Sequence, residues 1–248
     1  MYSGKRISVV IPCHNEEMGI RAVIERIPRP LVDEILVVNN ASTDQTEKLA
    51  LELGARVVRE EKKGYGLAYK TGLAAASGDI IITMDGDGTY PPDAIQLLLY
   101  IFCYERIDFM TARRWRAVHG GKKSALRVFG NAILSSMAFL LFWRFILDSQ
   151  SGMWVFRGDL VPRLQPKSEG MAFSQEIKIL AFTDPELRCI EVPIFYAKDR
   201  VGESKLNLWH DGFGNLFHLF KLRLGLGRRR SPVGRPLPVA GAVQETYA

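Results

Sequence analysis

Two aspartates one residue apart, Asp85 and Asp87, close a run of hydrocarbon, Asp79-Ile-Ile-Ile-Thr-Met84. Carboxylates at i and i+2 on a loop can both face one hard cation, because a loop need not keep strand alternation. Two such groups plus the phosphate oxygens of a substrate are the usual way to hold Mg²⁺ or Mn²⁺. An isolated pair of this kind is more often a solvated acidic turn. Here its place after a buried strand, with Gly86 between the acids and Thr89-Tyr-Pro-Pro92 behind them, favours the cation. Two further loops carry polar groups. Pro12, Asn15 and Glu16 follow Ile7-Ser-Val-Val-Ile11, and Asn39, Asn40, Ser42 and Asp44 follow Glu34-Ile-Leu-Val-Val38. Amides and carboxylates there suit a nucleobase or ribose, although helix entry and capping account for part of the pattern. Lys63 beside Gly64 and Gly66 suits a phosphate, though one glycine turn is weak evidence.

The elements that must position these groups are legible. Short apolar strands at 7–11, 34–38, 56–59 and 79–84 alternate with helical patterns at about 17–27, 43–53, 67–76 and 92–104. Ser42 with Gln45 has the spacing of a capping box for the second of these helices. Uninterrupted β-branched strands alternating with helices imply a parallel sheet covered on both faces. Ligands of such sheets bind beyond the carboxyl ends of the strands, which is where all three polar loops fall.

The second half of the chain reads differently. Residues 132–147 are strongly apolar but short of the ~20 residues that span a bilayer, and they include Arg144. Two readings stand: a core helix, or a helix lying in a membrane interface and flanked by bases. A second candidate, 206–226, places Trp209, Phe213, Leu216, Phe217, Phe220 and Leu224 at helical spacing, and Arg228-Arg-Arg230 follows. Near an anionic surface each of those bases contributes about 1 kcal/mol. The division expected is a catalytic domain over 1–206 with an apolar interface helix near 128–147. A basic amphipathic segment follows over 207–230, then a disordered tail over 231–248.

Composition agrees with a globular enzyme. Of 248 residues, 47% are hydrophobic and 24% charged, which excludes disordered, collagenous and coiled-coil classes. The net charge is +6, yet 109–147 carries +7 and 212–248 carries +5, so the remainder is acidic. Nucleic-acid binding wants a broad basic surface, and this distribution argues against it. Cys13, Cys103 and Cys189 are odd in number and lack metal spacing, which points to a reducing compartment. The N-terminus shows no secretory h-region.

Taken together the motifs resemble glycosyltransferase family 2, and within it the polyprenyl-phosphate (dolichyl-phosphate) sugar synthases. They are V-V-I-P-C-H-N-E at 9–16, V-V-N-N-A-S-T-D at 37–44, K-G-Y-G-L-A-Y-K-T-G-L at 63–73, M-D-G-D-G-T-Y-P-P at 84–92, D-S-Q-S-G at 148–152 and R-V-G-E-S-K-L at 200–206. The resemblance covers about residues 5–210. It implies an α/β GT-A fold, a doubly wound and mostly parallel sheet with peripheral amphipathic helices. It implies inverting transfer of one hexose from a UDP- or GDP-sugar to a polyprenyl phosphate, peripherally, on the cytoplasmic face of an anionic membrane. By that likeness Asp85 and Asp87 hold Mg²⁺ or Mn²⁺. Pro12, Asn15, Glu16, Asn40, Asp44 and Lys63 lie around the nucleotide, and Gln150 and Glu176 near the sugar. Arg113, Arg127, Arg200 and Lys205 receive the acceptor phosphate. A lipid phosphate is already an anion at neutral pH, so it needs positioning and charge neutralisation rather than a general base, and arginine supplies both. Arg114 and Arg116 read as surface charges. Asn39-Asn40 stands where relatives have Asp-Asp or Asp-Asn, leaving uracil and guanine both open, and Thr89 stands where they often have glutamine. Transfer to a soluble acceptor, and a non-catalytic membrane-binding role on a degenerate transferase fold, remain as alternatives.

Overall fold

The structure, a computed structural model, describes residues 1–118, 125–197 and 208–226. Side chains are not described at 116–118, 125–128, 196–197, 208–211 and 226. The strands are β1 (Ile7–Cys13), β2 (Glu34–Asn40), β3 (Arg56–Glu60), β4 (Ile80–Thr83), β5 (Phe109–Val118), β6 (Trp154–Arg157) and β7 (Cys189–Ala197). The helices are α1 (Ile20–Arg26), α2 (Thr46–Glu52), α3 (Tyr65–Ala75), α4 (Ala94–Tyr104), α5 (Ala125–Phe142), α6 (Val161–Leu164), α7 (Phe173–Thr183) and α8 (Leu208–Leu226).

All seven strands form one sheet in the order β3-β2-β1-β4-β6-β5-β7. The first four are parallel, β5 is parallel to β7, and β6 runs antiparallel between β4 and β5. The strand order reverses at β1, with β2 on one side and β4 on the other. That switch point opens a crevice at the carboxyl ends, and the Asp85 loop leaves β4 there.

Alternation along the strands divides the core. Ile7, Val9 and Ile11 pack with α1, α2 and α4 on one face, while Val10, Leu36 and Val38 pack with α3 and α7 on the other. A third cluster joins α5, α7 and α8 through Leu134, Ala138, Phe142, Ile146, Ile179 and Leu219. The expected interface helices therefore each have a core side. Opposite it lies an exposed one: Phe129, Ile133 and Leu140 on α5, Trp143, Phe145 and Leu147 after it, and Phe213, Phe217, Phe220 and Leu224 on α8. These ten large apolar side chains are 41% to 75% exposed. Among the described residues no helix is long and apolar enough to cross a membrane.

Several local expectations shift. The apolar helix stops at Phe142, where Trp143 takes a φ of 55° and turns the chain. Leu147 is then tied down by its carbonyl, which accepts from Asn131 and Ser135. The capping box at Ser42 and Gln45 does not form. Ser42 Oγ accepts from the Asn15 amide at 3.1 Å, and Asp44 caps instead, accepting from the Thr46 amide at 3.0 Å. Strand β5 runs seven residues past Thr111, so Arg113 lies within it rather than after it.

Candidate active site

The loops after β1 and β2 form one hydrogen-bonded unit. Asn15, at φ 52°, accepts from the Thr43 amide at 2.8 Å, and the Glu16 amide donates to Thr46 Oγ1 at 2.8 Å. Glu17 and Asp44 exchange support in both directions, since the Glu17 amide donates to Asp44 and the Gln45 amide to Glu17. Burial raises the Asp44 carboxyl, but the hydroxyl and amide of Thr46 and the Glu17 amide outweigh it and hold the group below its usual range.

Asn40 joins this unit to the turn before α3. Its side-chain nitrogen donates to the carbonyls of Glu60 and Lys62, and its oxygen accepts from the Gly64 amide at 2.9 Å. The Gly66 and Leu67 amides donate to the Glu169 carbonyl at 2.8 and 3.2 Å. The glycine turn is thus not the phosphate cradle its sequence suggested, because protein oxygens take these three amides. Lys63 beside it is exposed. Where β2 and β3 end, a cavity of about 220 Å³ is lined by Asn39, Ser42, Glu47, Arg59, Glu60 and neighbours. Arg59 meets Glu47 in a fork with contacts of 2.6 to 3.1 Å, and Asn39 donates to the same carboxylate. Sequence reading did not single out Arg59 or Glu47, since both look like ordinary surface charges.

The Asp85–Asp87 loop is wedged between two close backbone approaches. A Cβ on Gly19, at the start of α1, would lie 2.8 Å from the Gly86 carbonyl. A Cβ on Gly86 would lie 2.6 Å from Cys13 Sγ, so only glycine fits between the aspartates. On the other side a Cβ on Gly152 would lie 3.0 Å from Asp85 Oδ1 and 2.7 Å from Tyr65 Oη. Asp87 is 6% exposed and accepts from the Thr89 amide at 2.9 Å. Asp85, against which the Gly152 backbone packs, and buried Asp87 are the two carboxylates that this loop offers to a small hard cation. They are too few to hold it alone, which fits an ion shared with substrate phosphates. No group of three or more metal-binding side chains occurs among the described residues.

Gly152 belongs to the segment 148–152, which is fixed from all sides. Its amide donates to Tyr90 Oη at 2.7 Å, and its carbonyl accepts from Thr83 Oγ1 at 2.8 Å and Tyr69 Oη at 3.2 Å. Burial raises the phenols of Tyr65, Tyr69 and Tyr90 well above the usual value, so they stay neutral. Arg114, read as a surface charge, is instead paired through its Nε and Nη2 with Asp148, both at 2.8 Å. Burial pushes the Asp148 carboxyl up, but the Arg114 guanidinium dominates and holds it at about 2. Lys178 is fully buried and donates to the carbonyls of Asp148 and Ser151 at 2.9 and 2.8 Å; burial brings its ammonium down to about 7. None of these partners is near the other in sequence.

Gln150 donates to Gln175 at 3.2 Å and accepts from Asn215 at 3.0 Å. Glu176 is 2% exposed, and its oxygens accept from the Lys167 and Ser168 amides and meet His218 at 2.9 Å. Burial raises its carboxyl, but these hydrogen bonds outweigh it and the group lies below the usual range. Among the acceptor arginines, Arg113 is half-buried with its guanidinium 4.7 Å above the Trp115 ring. Arg127 sits in the first turn of α5, with its side chain outside the described residues, and Arg200 and Lys205 lie outside them altogether.

Residues 8–161 match the model of glycosyl transferase family 2. The chain is 32% identical over 213 residues to the low-salt glycan biosynthesis hexosyltransferase Agl6 of Haloferax volcanii, covering 84% of this chain and about half (51%) of that protein. It is 29% identical to the dolichyl-phosphate hexose transferase of the same organism, over 85% of this chain and 91% of that one. Among solved structures, glucosyl-3-phosphoglycerate synthase from Mycobacterium tuberculosis, in complex with Mn²⁺, UDP and its product, superposes with a TM-score of 0.68 at 26% identity. The match covers 90% of this chain and 81% of that one. A sheet whose switch point carries an Asp-Gly-Asp loop is the GT-A glycosyltransferase arrangement. The chain belongs to glycosyl transferase family 2, and its hexosyltransferase relatives include one that acts on dolichyl phosphate.

Proposed function

We propose that the protein transfers a single hexosyl unit, with inversion, from a UDP- or GDP-sugar to a polyprenyl phosphate at the cytoplasmic face of a membrane. The observation that supports a lipid acceptor is continuity. Exposed Leu147 ends the apolar surface of α5, and five residues on, Gly152 lies against the Asp85 carboxylate. A lipid tail seated on that surface, beside α8, delivers its phosphate to the donor site without leaving the membrane. Such a surface, apolar and flanked by bases, suits an anionic bilayer.

Asp85 and Asp87 would hold Mg²⁺ or Mn²⁺, which when bound neutralises charge on the departing diphosphate. Pro12, Asn15, Glu16, Asn40, Asp44 and Lys63 surround the nucleotide, and Gln150 faces the sugar. Arg113, Arg127, Arg200 and Lys205 neutralise the acceptor phosphate and align one of its oxygens behind the anomeric carbon. That oxygen forms the new bond as the bond to the diphosphate breaks, so the configuration inverts. The acceptor gives up no proton, hence no base is needed.

A panel of UDP- and GDP-sugars with undecaprenyl and dolichyl phosphate, the matching alcohols and 3-phosphoglycerate tests this. Turnover of the lipid phosphates alone is expected. Equal use of the alcohols removes the role given to the arginines. Preference for 3-phosphoglycerate supports the second reading, a soluble phosphorylated acceptor, which the likeness to the mycobacterial synthase favours.

A further inference from the structure

Helix α8 has two opposed stripes. Phe213, Phe217, Phe220 and Leu224 recur at i, i+4, i+7 and i+11 and are exposed. About half a turn round the axis lie Asn215 and Leu219, 6% and 0% exposed, with His218 beside them. Leucine or alanine there would suffice for packing on α5 and α7. Instead two polar side chains make specific bonds into the site.

We propose that Asn215 and His218 are positioning residues, through which seating of α8 on a membrane sets the conformation of Gln150 and of the 165–169 segment. This rests on the membrane-surface reading above. The first route is a triangle of amides. Asn215 Nδ2 donates to Gln150 Oε1 at 3.0 Å, Gln150 Nε2 donates to Gln175 Oε1 at 3.2 Å, and Gln175 Nε2 donates to the Asn215 carbonyl at 2.6 Å. Both ends of the Gln150 amide are thereby held, which fixes its orientation. The second route starts at His218, 2.9 Å from Glu176, whose carboxylate accepts from the amides of Lys167 and Ser168. The next carbonyl, that of Glu169, accepts from the Gly66 and Leu67 amides at the head of α3, beside the nucleotide loops.

The helix itself is poorly supported by local sequence. Gly212 and Gly214 stand near its start, and a Cβ at either would meet nothing within 4 Å. Glycine is therefore not required by packing, yet each weakens the helix relative to alanine. Such a helix depends on burying its faces. One face is covered by the protein, and the other is the exposed aromatic stripe. Covering the stripe with lipid stabilises the helix and hence the bonds that Asn215 and His218 make.

Hydrogen exchange on the whole protein, without substrate, tests the coupling. Anionic vesicles of phosphatidylcholine doped with phosphatidylglycerol should slow exchange in peptides covering 148–152 and 165–170 by about tenfold, a typical coupling factor. Asn215→Ala with His218→Ala should bind the same vesicles but lose that protection. His218→Gln, which keeps a donor toward Glu176, should restore protection at 165–170. Gly212→Ala with Gly214→Ala should show it without vesicles. In turnover assays the double alanine variant should lose kcat while donor KM holds. Wild-type protein that binds vesicles with no change at 148–152 or 165–170 overturns this inference alone. Wild-type protein that fails to bind overturns it together with the membrane-surface reading.

Discussion

Replacing Gly152 by alanine places a methyl group against the putting-together of the whole site. The added carbon falls 2.7 Å from Tyr65 Oη and 3.0 and 3.3 Å from the Asp85 carboxylate oxygens. Backbone retreat is blocked, since the Gly152 amide is bonded to Tyr90 and its carbonyl to Thr83 and Tyr69. The Asp85 carboxylate and the Tyr65 ring must therefore give way. Overpacking of this kind costs about 1–3 kcal/mol, against a total stability of about 5–15 kcal/mol, so the variant should fold, with Tm lowered by roughly 2–10 °C. Groups that orient a metal carboxylate are worth about 10–100-fold in metal affinity or activity, or ~1.4–2.7 kcal/mol. The expected result is weaker Mn²⁺ binding by that factor in a calorimetric titration with UDP or GDP present, and a similar fall in turnover. Unchanged Mn²⁺ affinity in a folded Gly152→Ala protein would refute the placing of Asp85 in a cation site.

Asp87→Ala should remove at least about 99% of transfer, as loss of a metal carboxylate forfeits several kcal/mol of charge stabilisation, while circular dichroism stays unchanged. Trp143→Glu, at an exposed position on the apolar surface, should weaken sedimentation with anionic vesicles and leave nucleotide binding intact; wild-type binding should fade with salt. Asp148→Asn removes the carboxylate that pairs with the half-buried Arg114 guanidinium, and urea unfolding should show a loss of about 3 kcal/mol at neutral pH. The wild-type carboxyl, held at about 2 against a usual 3.8, stabilises fully above pH 3.8 and loses its contribution as pH falls toward 2; the Asn variant should lack that component of acid unfolding. Lys178 has Asp148, Arg114 and Glu191 around it and a folded value of about 7 against a usual 10.5. Between those pH values the unfolded chain holds more protons, so wild-type stability should rise with pH there, and Lys178→Met should flatten that rise.

The first half of the molecule was legible because its strands are nearly pure hydrocarbon. A run such as Ile80-Ile-Ile-Thr83 reads as a strand buried on both faces, and the polar residues that follow lie at its carboxyl end. That reasoning placed the loops at 12–16, 39–44 and 85–92 together, and hydrogen bonds such as Thr43 to Asn15 show the first two joined. The second half resisted the same reading. Strand β5 contains Arg113, Arg114 and Arg116, which look like surface charges in any local window. Arg114 is held inside by Asp148, 34 residues away, and nothing in the spacing announces the pair. Lys178 sits within an apolar helix and donates to two main-chain carbonyls, which leave no trace in sequence. The close approaches at Gly19 and Gly152 depend on which loops meet, and glycine alone does not say what it faces. Ser42 had the spacing of a cap, but its hydroxyl was spent on Asn15, and Asp44 took over.

The contrast between halves follows from what each must do. Hydrophobic contact is non-directional and places a strand without fixing a side-chain oxygen. A segment that presents Gln150 and lies against Asp85, as the proposed function requires, needs directional restraint. The structure supplies it at 148–152 through buried polar bonds: the Ser151 carbonyl alone accepts from Trp154 Nε1, Ser174 Oγ and Lys178 Nζ at 2.7 to 2.8 Å. Each of those donors is buried, so losing the carbonyl's position would strand Trp154 Nε1 and Ser174 Oγ away from water at about 1–3 kcal/mol each and leave Lys178 only the Asp148 carbonyl. That cost is what holds the segment in one geometry while α5, the turn after it and α8 expose ten large apolar side chains to whatever surface the protein meets.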